Sequence, residues 1–85
     1  MNSDTIMSTK GHPFTYTEKD DDYELHFSFD NTERTVSYTK YFPEKIQFLS
    51  EKDKMIETIR MGFLIDNCIK KLSFENEVNQ YYANK

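Results

Sequence analysis

Apolar residues recur along this chain with two periods, and the change of period divides it. Tyr23, Leu25, Phe27 and Phe29 alternate with Glu24, His26 and Ser28. That is period two with one wet face, the signature of a strand in an antiparallel sheet. Phe14-Thr15-Tyr16-Thr17 repeats the pattern. So does Arg34 to Tyr41, with Val36 and Tyr38 on one face and Thr35, Ser37, Thr39 and Tyr41 on the other. The acid-rich segments 18–22 and 30–33 supply turns, because Asp and Asn carboxyl and amide groups bond nearby backbone N–H groups. The pattern predicts a three-stranded antiparallel meander over about 13–41.

Beyond Phe42 the spacing becomes helical. Pro43 suits a first helical turn, where its missing N–H costs nothing, and predicts a short helix over about 43–49. Ser50 with Asp53 resembles a capping box and opens a second helix over about 51–72. Ser73 offers another N-cap, which predicts a third helix over about 74–83 carrying Phe74, Val78, Tyr81 and Tyr82 on one face. Within 55–72, at about 100° per residue, Met55, Ile56, Ile59 and Phe63 fall on one side. Met61, Leu64, Ile65, Cys68, Ile69 and Leu72 fall mostly on the other. The first group is expected to pack on the sheet or the Pro43 helix. The second is expected to be covered only in part, which marks Met61, Leu64, Ile65 and Cys68 as a self-association surface. Gly62, where the face switches, permits a bend or a close backbone contact.

The expected fold is α+β, with three helices on one face of the meander. Residues 1–11 are polar and read as a flexible start, followed by a single domain over 12–85. At 85 residues there is room for one core only. The lone cysteine rules out an internal disulfide and favours a reducing compartment, so a cytoplasmic location is expected. No apolar run approaches the length of a bilayer span.

Charge is unevenly placed. Residues 1–33 hold eight acids against two bases, and the remainder nine bases against seven acids. Direct nucleic-acid binding is disfavoured, since phosphate affinity comes from Lys and Arg. A basic protein surface is favoured as partner, docking on Glu18, Asp20, Asp21, Asp22, Glu24, Asp30 and Glu33.

Catalytic chemistry is poorly supplied. A nucleophile needs a base within reach and a third group to orient that base. Cys68 lies in an apolar helical segment, His12 beside Pro13, and His26 on a wet strand face, and none has local partners of that kind. One Cys and two His cannot make a zinc site of four such ligands. The Asp20–Asp22 run lacks the glycine and alternation of a calcium loop, and two glycines in all cannot write a phosphate loop. No enzyme activity, metal or cofactor is expected. In composition the chain is similar to small accessory proteins of phages and mobile elements that disable a host protein, a likeness that assigns no residues.

The function expected is therefore a non-enzymatic protein-binding regulator or inhibitor. An alternative is an oligomer, most simply a dimer, that holds an anionic small molecule with Arg60, Lys70 and Lys71 at a helix–helix interface. A nucleic-acid-binding regulator ranks third.

Overall fold

The structure, a computed structural model, describes residues 5–43 and 50–84. Four strands, β1 (Ile6–Met7), β2 (Pro13–Glu18), β3 (Tyr23–Phe29) and β4 (Thr32–Ser37), form one open antiparallel sheet in the order β1-β2-β3-β4. Among the described residues one helix, α1 (Glu51–Ala83), lies on one face of it. The class is α+β, as the alternating and helical periods predict.

The central hairpins follow the sequence closely. β3 spans the seven residues that the strict alternation marks out. Asp30 and Asn31 both have positive φ, 55° and 60°. That is the two-residue type I′ geometry whose twist matches the flanking strands, and Asp and Asn tolerate it best after glycine. Register places Ile6, Phe14, Phe27 and Arg34 in one row across the sheet, and Tyr16, Leu25 and Val36 in the next. These rows face the helix. Phe14, Tyr23, Leu25, Phe27 and Tyr38 are buried there with Met61, Leu64 and Ile65. Fully burying a side chain of this size stabilises by about 1.5–3 kcal/mol.

Several expectations need correction. First, the meander has a fourth strand. Ile6 and Met7, expected in a flexible start, pair with Phe14 and Pro13, and Ile6 packs against the core. Second, the helices expected over 51–72 and 74–83 are one continuous helix of 33 residues. Ser50 caps it as foreseen, its hydroxyl accepting from Asp53 N at 3.2 Å. Ser73 does not cap, because nothing around it breaks a helix and the intrahelical ladder outcompetes a local side-chain bond. The helix expected over about 43–49 falls almost wholly outside the described residues. Third, β4 ends at Ser37, and the chain turns there, with Tyr41 N and Phe42 N both donating to Tyr38 O.

The sheet also takes the side of the helix opposite to the one expected. The Pro43 helix, the other support expected for Met55, Ile56, Ile59 and Phe63, lies almost wholly outside the described residues. The sheet takes Met61, Leu64 and Ile65, with Cys68, Ile69 and Leu72 packed beside them. Met55, Ile56, Ile59 and Phe63 are exposed. The face that the sheet takes carries Gly62 and Asp66, where the helix backbone can approach Ser8 and the Asp66 carboxylate can bond the β1–β2 turn. Met61, Leu64 and Ile65 are therefore core and present no surface for self-association. Gly62 provides the close approach: a Cβ there would stand 3.2 Å from Ser8 Cα.

Candidate functional site

Three places gather chemistry-bearing side chains: the junction of the β1–β2 turn with α1, the acidic end of the sheet, and the outer face of α1.

At the junction, Asp66 is buried and collects three donors. Ser8 Oγ donates to Oδ1, His12 Nδ1 lies 2.8 Å from the same oxygen, and Lys10 N donates to Oδ2 at 3.3 Å. Ser8 Oγ in turn accepts from His12 N at 2.9 Å. Gly11, at φ +85°, lets the turn close. Burial raises the Asp66 pKa, but bonds from Ser8, His12 and the Lys10 N–H, with the nearby imidazole charge, outweigh it and hold the pKa below the usual carboxylate value. Serine, histidine and aspartate thus meet, but in the wrong order for nucleophilic catalysis. A hydrolytic triad runs from hydroxyl to imidazole to carboxylate. Here the carboxylate sits between the other two and accepts the hydrogen bond of the hydroxyl, so the imidazole has no serine to activate. The arrangement clamps the sheet edge to the helix. Sequence reasoning missed it because 54 residues separate His12 from Asp66. A carboxylate beside Leu64 and Ile65, four residues after Gly62, was the available signal.

A second buried acid, Glu57, lies on α1 facing Tyr38. Its Oε1 accepts from Arg60 Nη1 at 3.2 Å. Its Oε2 and the Tyr38 hydroxyl are both buried without a hydrogen-bond partner among the described residues. Burial, and then the Glu57 carboxylate, push the Tyr38 phenol pKa well up, while Arg60 opposes them. A cavity of about 140 Å³ beside Glu57 is lined by Tyr16, Glu18, Tyr23, Lys54, Thr58 and Met61.

The acidic residues do not form one face. Glu18, Asp20, Asp21, Asp22 and Glu24 cluster at the β2–β3 turn. Asp30 and Glu33 sit at the other end of β3, about 20 Å away at the rise of a strand. Within the cluster, Asp22 works for the fold: its Oδ1 accepts from Thr39 N at 3.0 Å and Thr39 Oγ1 at 2.8 Å. Burial raises its pKa, and bonds from Thr39, Ser37 and Tyr23 lower it further than burial raises it. Glu24 takes Lys19 Nζ at 3.4 Å and His26 Nε2 at 3.5 Å. Asp20 and Asp21 are exposed at the tip.

The basic residues are not convergent. Arg60 is tied to Glu57. Lys70 and Lys71 are exposed but point about 100° apart on the helix. Cys68 is half-buried, and burial raises its thiol pKa against the opposing charge of Lys71.

The outer face of α1 is the most unusual surface. Ile56, Ile59, Phe63, Phe74 and Tyr81 fall within about 60° in projection, roughly opposite the residues that meet the sheet. Phe63 is 50% exposed, Phe74 64% and Tyr81 59%. No described helix is long and apolar enough to cross a membrane. Comparison of the chain with known protein families, with curated proteins and with solved structures finds no match.

Proposed function

We propose that this chain is a non-enzymatic protein-binding regulator, with α1 as its interaction helix and the acidic β2–β3 end as its steering charge. The observation that carries this reading is the row of exposed apolar side chains on one side of α1, Ile56, Ile59 and Phe63 near one end and Phe74 and Tyr81 near the other. A helix needs one apolar face to hold a sheet, and this one has two. Large apolar side chains aligned along one exposed face mark interaction surfaces, whereas scattered ones do not. The wiring of Ser8, His12 and Asp66 supports a non-enzymatic role, since each group is consumed by the clamp. Exposed Asp20 and Asp21, on a turn anchored by Asp22, favour a basic partner and should speed its approach in a salt-dependent way.

Capture from a lysate of the source cell tests both parts. Phe63→Asp combined with Phe74→Asp should lose the partner while keeping the wild-type circular dichroism. Asp20→Asn with Asp21→Asn should keep the partner but flatten the salt dependence of its association rate. Retention of the same partners at the same affinity by the Phe63/Phe74 variant would sink the reading.

A further inference from the structure

We infer that the occupant of the outer α1 face is a second copy of this chain, bound antiparallel about a twofold axis between Asn67 and Lys70. The inference rests on the reading of this face as a protein-binding surface and names a second copy as its occupant. The basic partner is then met by the acidic β2–β3 ends, and the Phe63/Phe74 variant loses it through loss of the paired, two-ended form. The stripe consists of residues 56, 59, 63, 67, 70, 74, 78 and 81, all exposed except half-buried Val78. The steps between them are three, four, four, three, four, four, three. Two properties follow. The spacing repeats every eleven residues, so the stripe stays on one side of a nearly straight helix over its whole length. The spacing also reads the same in both directions, so it is complementary to itself when reversed. Laid antiparallel, Ile56 meets Tyr81, Ile59 meets Val78, and Phe63 meets Phe74, each pair twice. The two polar positions, Asn67 and Lys70, meet each other at the centre, where the amide oxygen can accept from the ammonium group. A parallel pairing would place Lys70 on Lys70 and Asn67 on Asn67.

The area is sufficient. Bare aromatic side chains expose on the order of 150–250 Å² each. At the observed exposures the stripe offers roughly 500–600 Å² per copy. A symmetric pair then buries up to about 1,100 Å², just above the roughly 1,000 Å² that a biological interface should clear and at the low end of the size range. The sheets do not obstruct this pairing, because each lies on the opposite side of its own helix. The product is a sheet–helix–helix–sheet sandwich. Its acidic turns, which share the Glu57 cavity with Lys54 near the start of α1, stand at opposite ends. The central lysines are the weak point of the seam. A polar layer of this kind sets register at a cost in stability.

Sedimentation equilibrium and disulfide trapping test the proposal. Wild type should sediment as a dimer at micromolar concentration. Phe63→Asp should raise the dissociation constant about 100-fold or more, as expected for a central aromatic anchor, and Lys70→Leu should lower it about tenfold. In a Cys68→Ser background, mild oxidation of a mixture of Ile59→Cys and Val78→Cys chains should give the mixed disulfide. Neither variant alone should crosslink, since the like positions lie about 28 Å apart along the helix in this register. A monomeric wild type overturns the proposal, and so does a disulfide formed by Ile59→Cys alone, which would report a parallel pair. If wild type is monomeric yet the Phe63/Phe74 variant still loses its captured partner, the face binds another protein and only the second copy is excluded.

Discussion

The two faces of α1 are made of similar residues and have different neighbours. The sheet-side face carries Met61, Leu64, Ile65 and Leu72 across from Phe14, Leu25 and Phe27. The outer face carries Ile56, Ile59, Phe63, Phe74 and Tyr81, which are exposed among the described residues. Hydrophobicity does not separate the two. What separates them is the small polar apparatus around the first. Gly62 lets the helix approach Ser8, and Asp66 then binds Ser8, Lys10 and His12. These contacts fix which side of the helix the sheet meets, and they leave the other side exposed.

Breaking the sheet-side face should have the largest effect. Leu64→Asp with Ile65→Asp should abolish folding, because it buries two charges without partners. Ile65→Ala alone should cost about 2–5 kcal/mol in urea unfolding, the usual range for emptying a fully buried aliphatic site. The clamp comes next. Asp66→Asn should cost about 1–3 kcal/mol at neutral pH, as one buried acceptor becomes partly a donor facing donors. It should also change the pH dependence in a defined direction. The Asp66 pKa is lower in the fold than in the unfolded chain, so its stabilisation is complete above the ordinary Asp value of about 4 and fades as pH falls through the folded value. The acid limb of stability below about pH 4 should therefore be shallower in Asp66→Asn than in wild type. Gly62→Ala should act least of the three. Alanine favours a helix by up to about 1 kcal/mol, but its Cβ would press on a Ser8 backbone already held by Asp66 and His12. The overpacking should leave a net loss of about 1 kcal/mol, and replacing Ser8 with Gly should not relieve it, because the nearest atom is backbone.

How much of this was legible in the sequence differs by element. β3 was fully legible, since strict alternation with one wet face leaves no competing reading. The hairpin turns were legible from their Asp and Asn residues. β1 was not, because two residues are too few to show a period and its pairing depends on Gly11 closing the turn behind it. The continuity of α1 through Ser73 was hidden by a capping residue that the surrounding helix overrules. Periodicity did sort the helix residues into two groups. It could not say which group the sheet would take, because that depends on the inner face completed by Ile6 and Phe14 and on the close approach at Gly62. The acidic residues were visible as a cluster in sequence. Only the strand register shows that Asp30 and Glu33 lie at the far end and that Asp22 belongs to the fold. The Asp66 clamp joins residues more than fifty positions apart, and no local spacing encodes it.

The division of labour between the two faces is tested most directly by the urea midpoint measured across protein concentration. Folding coupled to dimerisation stabilises by mass action, so the midpoint rises with concentration. The account predicts a rising midpoint for wild type and a constant one for Phe63→Asp with Phe74→Asp, whose midpoint at high dilution matches that of wild type. A wild-type midpoint that does not move with concentration, or a Phe63/Phe74 variant that is unstable at every concentration, would contradict it.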